Sequence, residues 1–145
     1  MLIVGGADGV GSIVIQLLRT LTDSEVHATA SRSESIEWVQ SMGTQHVMDR
    51  RTTLLEQCRQ ERLREFSYIF SATHSDGNHT AFPILLKPFV ALCCIDDPVE
   101  FDVAPFKMRL KSVHWEVIFT KTHFDCNREI QGGIPSLFAG LGGQG

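Results

Sequence analysis

A glycine-rich stretch near the start of the chain has the residue types and spacing that suit anion binding. Residues 5–11 read GGADGVG, between a short apolar segment and a segment with helical periodicity. The first N–H groups of a helix have no partner within the helix and carry partial positive charge, so they attract phosphate. Glycines in the turn remove the β-carbons that would keep a phosphate at a distance. The stretch therefore predicts a phosphate-binding turn.

The spacing matches most of the glycine pattern of dinucleotide-binding proteins. In the pattern G-x-G-x-x-G, Gly6 takes the first position and Gly11 the last, but Asp8 stands where the middle glycine is expected. A carboxylate there weakens pyrophosphate binding unless its side chain turns out to solvent. A plain tight turn is the alternative. We predict that Gly6, Ala7, Gly9, Val10 and Gly11 bind the dinucleotide.

The residues after the second predicted strand indicate which dinucleotide is favoured. Folds that bind NAD place Asp or Glu about twenty residues past the glycine turn, where it holds the ribose hydroxyls. Here the strand EVHATA is followed by Ser31, Arg32 and Ser33, with no acidic residue. A hydroxyl and a guanidinium suit the 2′-phosphate of NADP(H). We predict NADP(H) as the cofactor, bound by Ser31 and Arg32; in the alternative, the serines cap a helix and Arg32 is solvated.

The histidines and cysteines predict neither a metal site nor a nucleophile. His74, Asp76 and His79 share one loop, but without helical H-E-x-x-H or thiol spacing they are a weak zinc signal and are interpreted as surface residues. The sequence has no C-x-x-C pair, and we expect its cysteines to be reduced and mostly buried. We predict no metal ligands, and the sequence identifies no catalytic residue.

Strands and helices alternate along the chain and must position these residues. Strands are predicted at residues 2–5, 25–30, 46–49, 66–72, 90–96 and 112–119. Helices are predicted at residues 11–21, 33–42, 53–65 and 80–86. This order predicts an α/β fold, namely a Rossmann-type doubly wound parallel sheet of about six strands with flanking helices.

Composition excludes several classes of partner. The formal net charge is -4, which gives no reason to expect nucleic acid or an anionic membrane surface as a partner. No apolar run approaches the roughly 20 residues of a membrane-spanning helix, and the first residues do not form a signal peptide. We therefore expect a cytoplasmic protein. Residues 1–124 are predicted to form an NAD(P)-binding domain, and residues 125–145 an irregular glycine-rich tail.

Several stretches follow one another with regular spacing over residues 2–124. They are IVGGADGVGSIVIQLLRTLT, VHATASRSESIEWVQSMGTQHVMD, YIFSATHSD, CCIDDP and PFKMRLKSVHWEVIFTK. Together they resemble the medium-chain dehydrogenase/reductase superfamily, in its zinc-type alcohol dehydrogenase-like and quinone oxidoreductase branch. The resemblance implies a Rossmann domain that binds NADPH for hydride transfer to a carbonyl, quinone or enone. It also implies that Ser71 and Thr73 lie near the ribose and nicotinamide.

The same resemblance sets expectations about completeness and assembly. Members of the family carry a β-rich domain ahead of this one, which supplies most of the substrate pocket and any catalytic zinc ligands. We expect this chain to lack that domain and to be a truncated form with weak or no turnover. The family also implies a homodimer paired through the edge strand at residues 112–119. A non-catalytic nucleotide-binding or dimerisation module is the alternative function.

Overall fold

Six parallel strands form the centre of the protein, seen here in a computed structural model that describes residues 1–63, 65–117 and 119–126. The strands are β1 (Leu2–Val4), β2 (His27–Ala30), β3 (His46–Asp49), β4 (Phe66–Ser71), β5 (Leu86–Cys94) and β6 (Ser112–Trp115). Their order in the sheet is β3-β2-β1-β4-β5-β6, and all neighbours run parallel. This is the Rossmann order, so the predicted fold class is confirmed.

Helices connect the strands within one compact unit, Met1–Trp115. They are α1 (Gly9–Leu21), α2 (Ser33–Ser41), α3 (Leu54–Gln60), α4 (Ser75–Asn78) and α5 (Phe82–Leu85), followed by a 3-10 helix (Ala104–Arg109). A second unit, Glu116–Gly145, contains the short helix α6 (Thr120–His123) among its described residues. The domain boundary predicted at residue 124 stays a prediction.

Two apolar clusters hold the helices to the two faces of the sheet. Leu2 and Val4 belong to one cluster, whereas Ile3 between them belongs to the other. All three are fully buried. Adjacent side chains of a strand point to opposite faces, so a strand covered on both faces needs apolar residues at every position. This explains why β1 reads as an unbroken apolar run rather than an alternating one.

The predicted element boundaries fail where local backbone conformation overrides the sequence pattern. The helix predicted at residues 53–65 ends at Gln60, because Arg62 adopts a left-handed conformation with φ of 57°. The strand predicted at residues 90–96 runs instead over Leu86–Cys94, with a register shift against β4. The helix predicted at residues 80–86 is shorter, and α4 before it was not predicted.

Near the end of the chain the edge strand is also shorter than predicted. It ends at Trp115, and residues 116 and 117 do not continue it toward residue 119. The tail predicted at residues 125–145 lies almost entirely outside the described residues. Its irregular, glycine-rich character therefore stays a prediction.

Replacement of Gly11 by alanine tests the packing of α1 against β1. A β-carbon at Gly11 would lie 2.1 Å from the carbonyl oxygen of Gly5 and 2.9 Å from the Cα of Gly6, both backbone atoms. Since backbone cannot yield as a flexible side chain does, we expect Gly11→Ala to lower the free energy of unfolding by about 3 kcal/mol, the upper part of the overpacking range. Urea denaturation measures this change.

The matched control is Gly9→Ala in the same helix, where an added β-carbon meets nothing within 4 Å. We expect its unfolding midpoint to equal or slightly exceed that of the parent chain, because alanine is the better helix former. Equal stability of the two variants would contradict the close approach of α1 to β1.

Candidate functional site

The turn between β1 and α1 lies where the strand order reverses. β1 pairs with β2 on one side and with β4 on the other, and helix crossovers leave it in both directions. In open α/β sheets such a switch point opens a crevice at the carboxyl ends of the strands. Gly5 takes φ of 84° in this turn, and its N–H donates to Thr29 Oγ1 at 2.9 Å. This bond ties the turn to the end of β2.

The amino end of α1 is open toward this crevice. Asp8 occupies the N-cap position, but its carboxylate accepts no hydrogen bond from the first turn of the helix. A β-carbon on Gly9 would meet nothing within 4 Å, and Val10 is half exposed. The helix therefore presents N–H groups without a side-chain cap beside an open space. This arrangement fits a phosphate group.

At two positions of the predicted pattern, close packing within the protein explains why the residue is glycine, rather than the need to leave space for a ligand. Gly6 is buried, and a β-carbon there would approach Ala28 Cβ to 2.7 Å. Gly11 is buried against the backbone of the turn. Their small size brings the turn and helix close to β1 and β2, and the contact of either with a pyrophosphate stays a prediction.

A polar crevice of about 280 Å³ lies at the carboxyl ends of β1 and β2. It brings together three of the predicted residues, Ala7, Ser31 and Arg32. Ser35 and Arg50 also line it, although the sequence analysis had not singled them out. Two guanidinium groups thus border a single crevice. Ser31 and Ser33 do not cap α2, since Arg32 holds the N-cap position and no side chain caps the helix.

Arg50 is brought to this crevice by the end of β3. Parallel strands place their carboxyl ends at one edge of the sheet, so the residue after β3 lies near the residues after β2. The signal in the sequence was the pair Arg50-Arg51 directly after a predicted strand. Sequence spacing alone could not tell which of the two arginines faces the crevice.

Arg51 is engaged by the carboxylate of Asp49, the last residue of β3. Its Nε lies 3.0 Å from both carboxylate oxygens, and its Nη2 lies 2.7 Å from one of them. This pairing lowers the pKa of Asp49, so the carboxylate remains ionised and paired. The acidic group nearest the crevice on β3 is therefore already held by a cation, whereas Arg50 beside it lines the crevice.

A second crevice of about 420 Å³ adjoins the first, and Arg50 lines both. Its walls come from the segment after β3 and from the loop after β4, including His74 and Asn78. Together the two crevices border the ends of β1, β2, β3 and β4. The arrangement has room for a ligand that extends beyond a single phosphate.

The loop after β4 is fixed by a hydrogen-bond network. Ser75 is fully buried; its hydroxyl donates to Asp96 at 2.5 Å, and its N–H donates to the same carboxylate at 2.8 Å. Ser71 is also fully buried, 2.7 Å from the Ser75 hydroxyl. The Ser71 hydroxyl is thus occupied within the protein. Its predicted contact with a ribose stays a prediction, and the structure gives it a role in positioning this loop.

Thr73 and His74 lie in the loop that follows Ser71, and His74 lines the second crevice. Thr73 Oγ1 lies 2.7 Å from His74 Nδ1, and His74 adopts the left-handed region with φ of 58°. Non-glycine residues in this region are uncommon and occur often at functional sites. Neither Ser75 nor Asp96 had been identified from sequence, because the hydrogen bonds that connect β4 and β5 leave no local pattern.

The thiols and loop histidines weighed in the sequence analysis are not arranged as a reactive group. Burial raises the pKa of Cys58 and of Cys94 to about 11, so both remain protonated near neutral pH. In the loop, His79 Nδ1 lies 2.5 Å from the carbonyl of Asp76, and His74 is bonded to Thr73. The prediction of buried thiols is confirmed for Cys58 and Cys94, whereas Cys93 is only partly buried and the prediction is wrong for Cys126, which is exposed.

Comparison with known proteins identifies related chains. No protein-family model matches this chain. A zinc-type alcohol dehydrogenase-like protein of Staphylococcus aureus is 34% identical over 88 residues, which are 61% of this chain and 26% of that protein. A solved structure of a zinc-dependent alcohol dehydrogenase protein from Rhizobium etli is 38% identical, with a TM-score of 0.84 over 97% of this chain and 43% of the other.

More distant structures share the fold. An alcohol dehydrogenase from E. coli CFT073, complexed with NADH, is 17% identical, with a TM-score of 0.68 over 80% of this chain and 36% of that one. No helix among the described residues is long and apolar enough to cross a membrane. The chain spans less than half the length of the relatives that it matches. Along the part that it spans, the chain matches the medium-chain dehydrogenase/reductase superfamily, among zinc-type alcohol dehydrogenase-like proteins.

Proposed function

We propose that this chain is the NADPH-binding domain of a zinc-type alcohol dehydrogenase-like or quinone oxidoreductase. One observation carries the proposal: the crevice after β2 is lined by two arginines, Arg32 and Arg50, and by two serines, Ser31 and Ser35. These are the groups that bind a phosphate monoester through charge-assisted hydrogen bonds. A ribose with free 2′- and 3′-hydroxyls is instead recognised by a carboxylate.

The neighbours in structure do not decide between the two nicotinamide cofactors. One is a complex with NADH, and another, the 2-octenoyl-CoA carboxylase reductase, is a complex with NADP and 2-octenoyl-CoA at 19% identity. The preference for NADPH therefore rests on the residues of this chain. Its support is the set of residues that line the crevice. Arg32 and Arg50 are among them, and the acidic residue among them, Asp8, lies on the side of the glycine turn.

Each part of the proposed ligand has a place among these residues. Gly9 and Val10 at the open end of α1 receive the pyrophosphate through their N–H groups. Ser31, Arg32 and Arg50 receive the 2′-phosphate, and Thr73 lies toward the nicotinamide ribose. When bound, the nicotinamide supplies the hydride, and the protein supplies position and electrostatics. The loop network of Ser75 and Asp96 holds Thr73 in place for this contact.

We propose a small carbonyl, quinone or enone compound as hydride acceptor, since the resemblance is to reductases of that type. A cytoplasmic location stays a prediction from the sequence.

A non-catalytic dimerisation role is the second candidate, and β6 favours it. This strand stands at the edge of the described sheet, with three of its four residues exposed. An exposed edge strand offers unpaired backbone groups to a second strand. Pairing of two copies through Ser112–Trp115 would extend the sheet across a homodimer.

Arg32→Ala tests the cofactor preference. We expect the parent chain to bind NADPH more tightly than NADH, as measured by fluorescence or calorimetric titration. The substitution removes a charge-assisted hydrogen bond, so NADPH affinity should fall roughly tenfold or more while NADH affinity stays nearly constant. Arg50→Ala should act in the same direction.

The matched control is Arg59→Ala, which removes an exposed guanidinium from α3, outside the residues that line either crevice. Both affinities should remain at the parent values in this variant. Equal binding of NADPH and NADH by the parent chain would defeat the proposed preference. So would an equal loss in the Arg59 control, because the effect would then reflect net charge alone.

Asp8→Asn tests the pyrophosphate position at the turn. At about 8 Å in a water-like dielectric, each pair of like unit charges costs about 0.5 kcal/mol, so a doubly charged pyrophosphate loses about 1 kcal/mol to the Asp8 carboxylate. Neutralising this group should tighten NADPH and NADH alike by about fivefold, and less at high salt. A gain for one cofactor only would show that Asp8 contacts a different part of the ligand.

A further inference from the structure

A cluster of two histidines and one glutamate lies at the opposite end of β2 and β3. Glu25 precedes β2, His27 is its first residue, and His46 is the first residue of β3. One ligand atom from each lies within 4.8 Å of the others. The cofactor crevice borders the carboxyl ends of these strands, so the cluster is separated from it by the length of the strands.

Sheet geometry places the three side chains on one face. Residues two apart on a strand point the same way, which aligns Glu25 with His27. His27 and His46 are direct partners in the parallel register of β2 and β3, and their rings stack with centroids 4.6 Å apart. The sequence had not revealed this group, because its members are contributed by two strands with a helix between them.

The buried member of the cluster is His27, and it lacks ordinary hydrogen bonds. It is only 3% exposed, its Nδ1 has no partner, and its Nε2 lies 3.6 Å from Glu25 Oε2, longer than a hydrogen bond. Its ring is held against Phe66 in an edge contact at 5.1 Å. The Nε2 atom of His27 therefore faces the Glu25 carboxylate without a hydrogen bond of ordinary length.

The residue types of the cluster suit a divalent cation. Imidazole nitrogens and carboxylate oxygens are both ligands of Zn²⁺.

We propose that Glu25, His27 and His46 form a binding site for a divalent cation of the Zn²⁺ class. Tetrahedral zinc with bonds of about 2.1 Å places its ligand atoms about 3.4 Å apart, close to the 3.6 Å between His27 Nε2 and Glu25 Oε2. His46 Nε2, now 2.8 Å from Glu25 Oε1, moves outward to the third position. Nearly half of its side chain is exposed, so its ring can leave the stack.

The remaining coordination position is open to water. A crevice of about 280 Å³ borders Glu25 and His27 and is also lined by Glu65 and Lys87. A site with three protein ligands and one water leaves this fourth position for solvent. Bound metal would tie the start of β2 to the start of β3, at the edge of the sheet. This site is independent of the proposed cofactor role.

Metal titration of the chain after removal of metal with a chelator tests the proposal. We expect one equivalent of Co²⁺ to give the visible absorption of a four- or five-coordinate ion, and Zn²⁺ to displace it. Glu25→Gln and His46→Gln remove exposed ligands, so both variants should fold. Each should bind Zn²⁺ roughly 100-fold more weakly or worse, since even loss of an outer hydrogen bond to a metal ligand costs tenfold to a hundredfold.

The matched control is His79→Gln in the loop after β4, where His74, Asp76 and His79 form the competing candidate group. This variant should bind Zn²⁺ as the parent does. Zn²⁺ should also raise the midpoint of thermal unfolding in the parent and in His79→Gln but not in Glu25→Gln. Unchanged Zn²⁺ affinity in Glu25→Gln and His46→Gln, or no saturable binding by the parent, would overturn the site. NADPH affinity serves as a separate readout and should be the same in all of these variants.

Discussion

The close approach of α1 to β1 is the constraint on which the rest of the site depends. The turn of Gly5 and the bare backbone of Gly11 let the helix begin directly above the end of the first strand, with its amino end at the switch point. Any side chain at Gly11 would push the helix away and move its N–H groups from the crevice. The bond from Gly5 to Thr29 then ties this turn to β2.

The fold could be predicted from sequence because each strand and helix carries its own local signal. Unbroken apolar runs such as β1 report burial on both faces, and the glycine turn marks a strand entering a helix. Two of the failures follow from single backbone conformations. Arg62 and His74 adopt left-handed angles that no hydrophobic pattern reveals, and they set the end of α3 and the start of α4.

Only part of the site could be predicted from sequence, because its residues follow different strands that come together at one edge of the sheet. Ala7, Ser31 and Arg32 follow strands that the sequence pattern identifies, and they line one crevice. Arg50 joins them because parallel strands deliver their carboxyl ends to the same edge, but sequence does not tell which residue past β3 faces inward. In the structure Arg50 lines both crevices, whereas Arg51, which pairs with Asp49, lines only the second one.

An acidic chain can still offer a binding site for an anion, because the site depends on the charged side chains that line it rather than on the net charge. The formal net charge is -4, so the chain as a whole repels a multiply charged dinucleotide at long range. Exposed charges beyond about 8–10 Å are largely screened at physiological salt, whereas groups that line one crevice are not. The residues lining the end of the crevice beside β2 and β3 include Arg32 and Arg50, whereas the Asp49 carboxylate is paired with Arg51 and is not among them. The proposed preference for a phosphate at that end therefore rests on these two arginines.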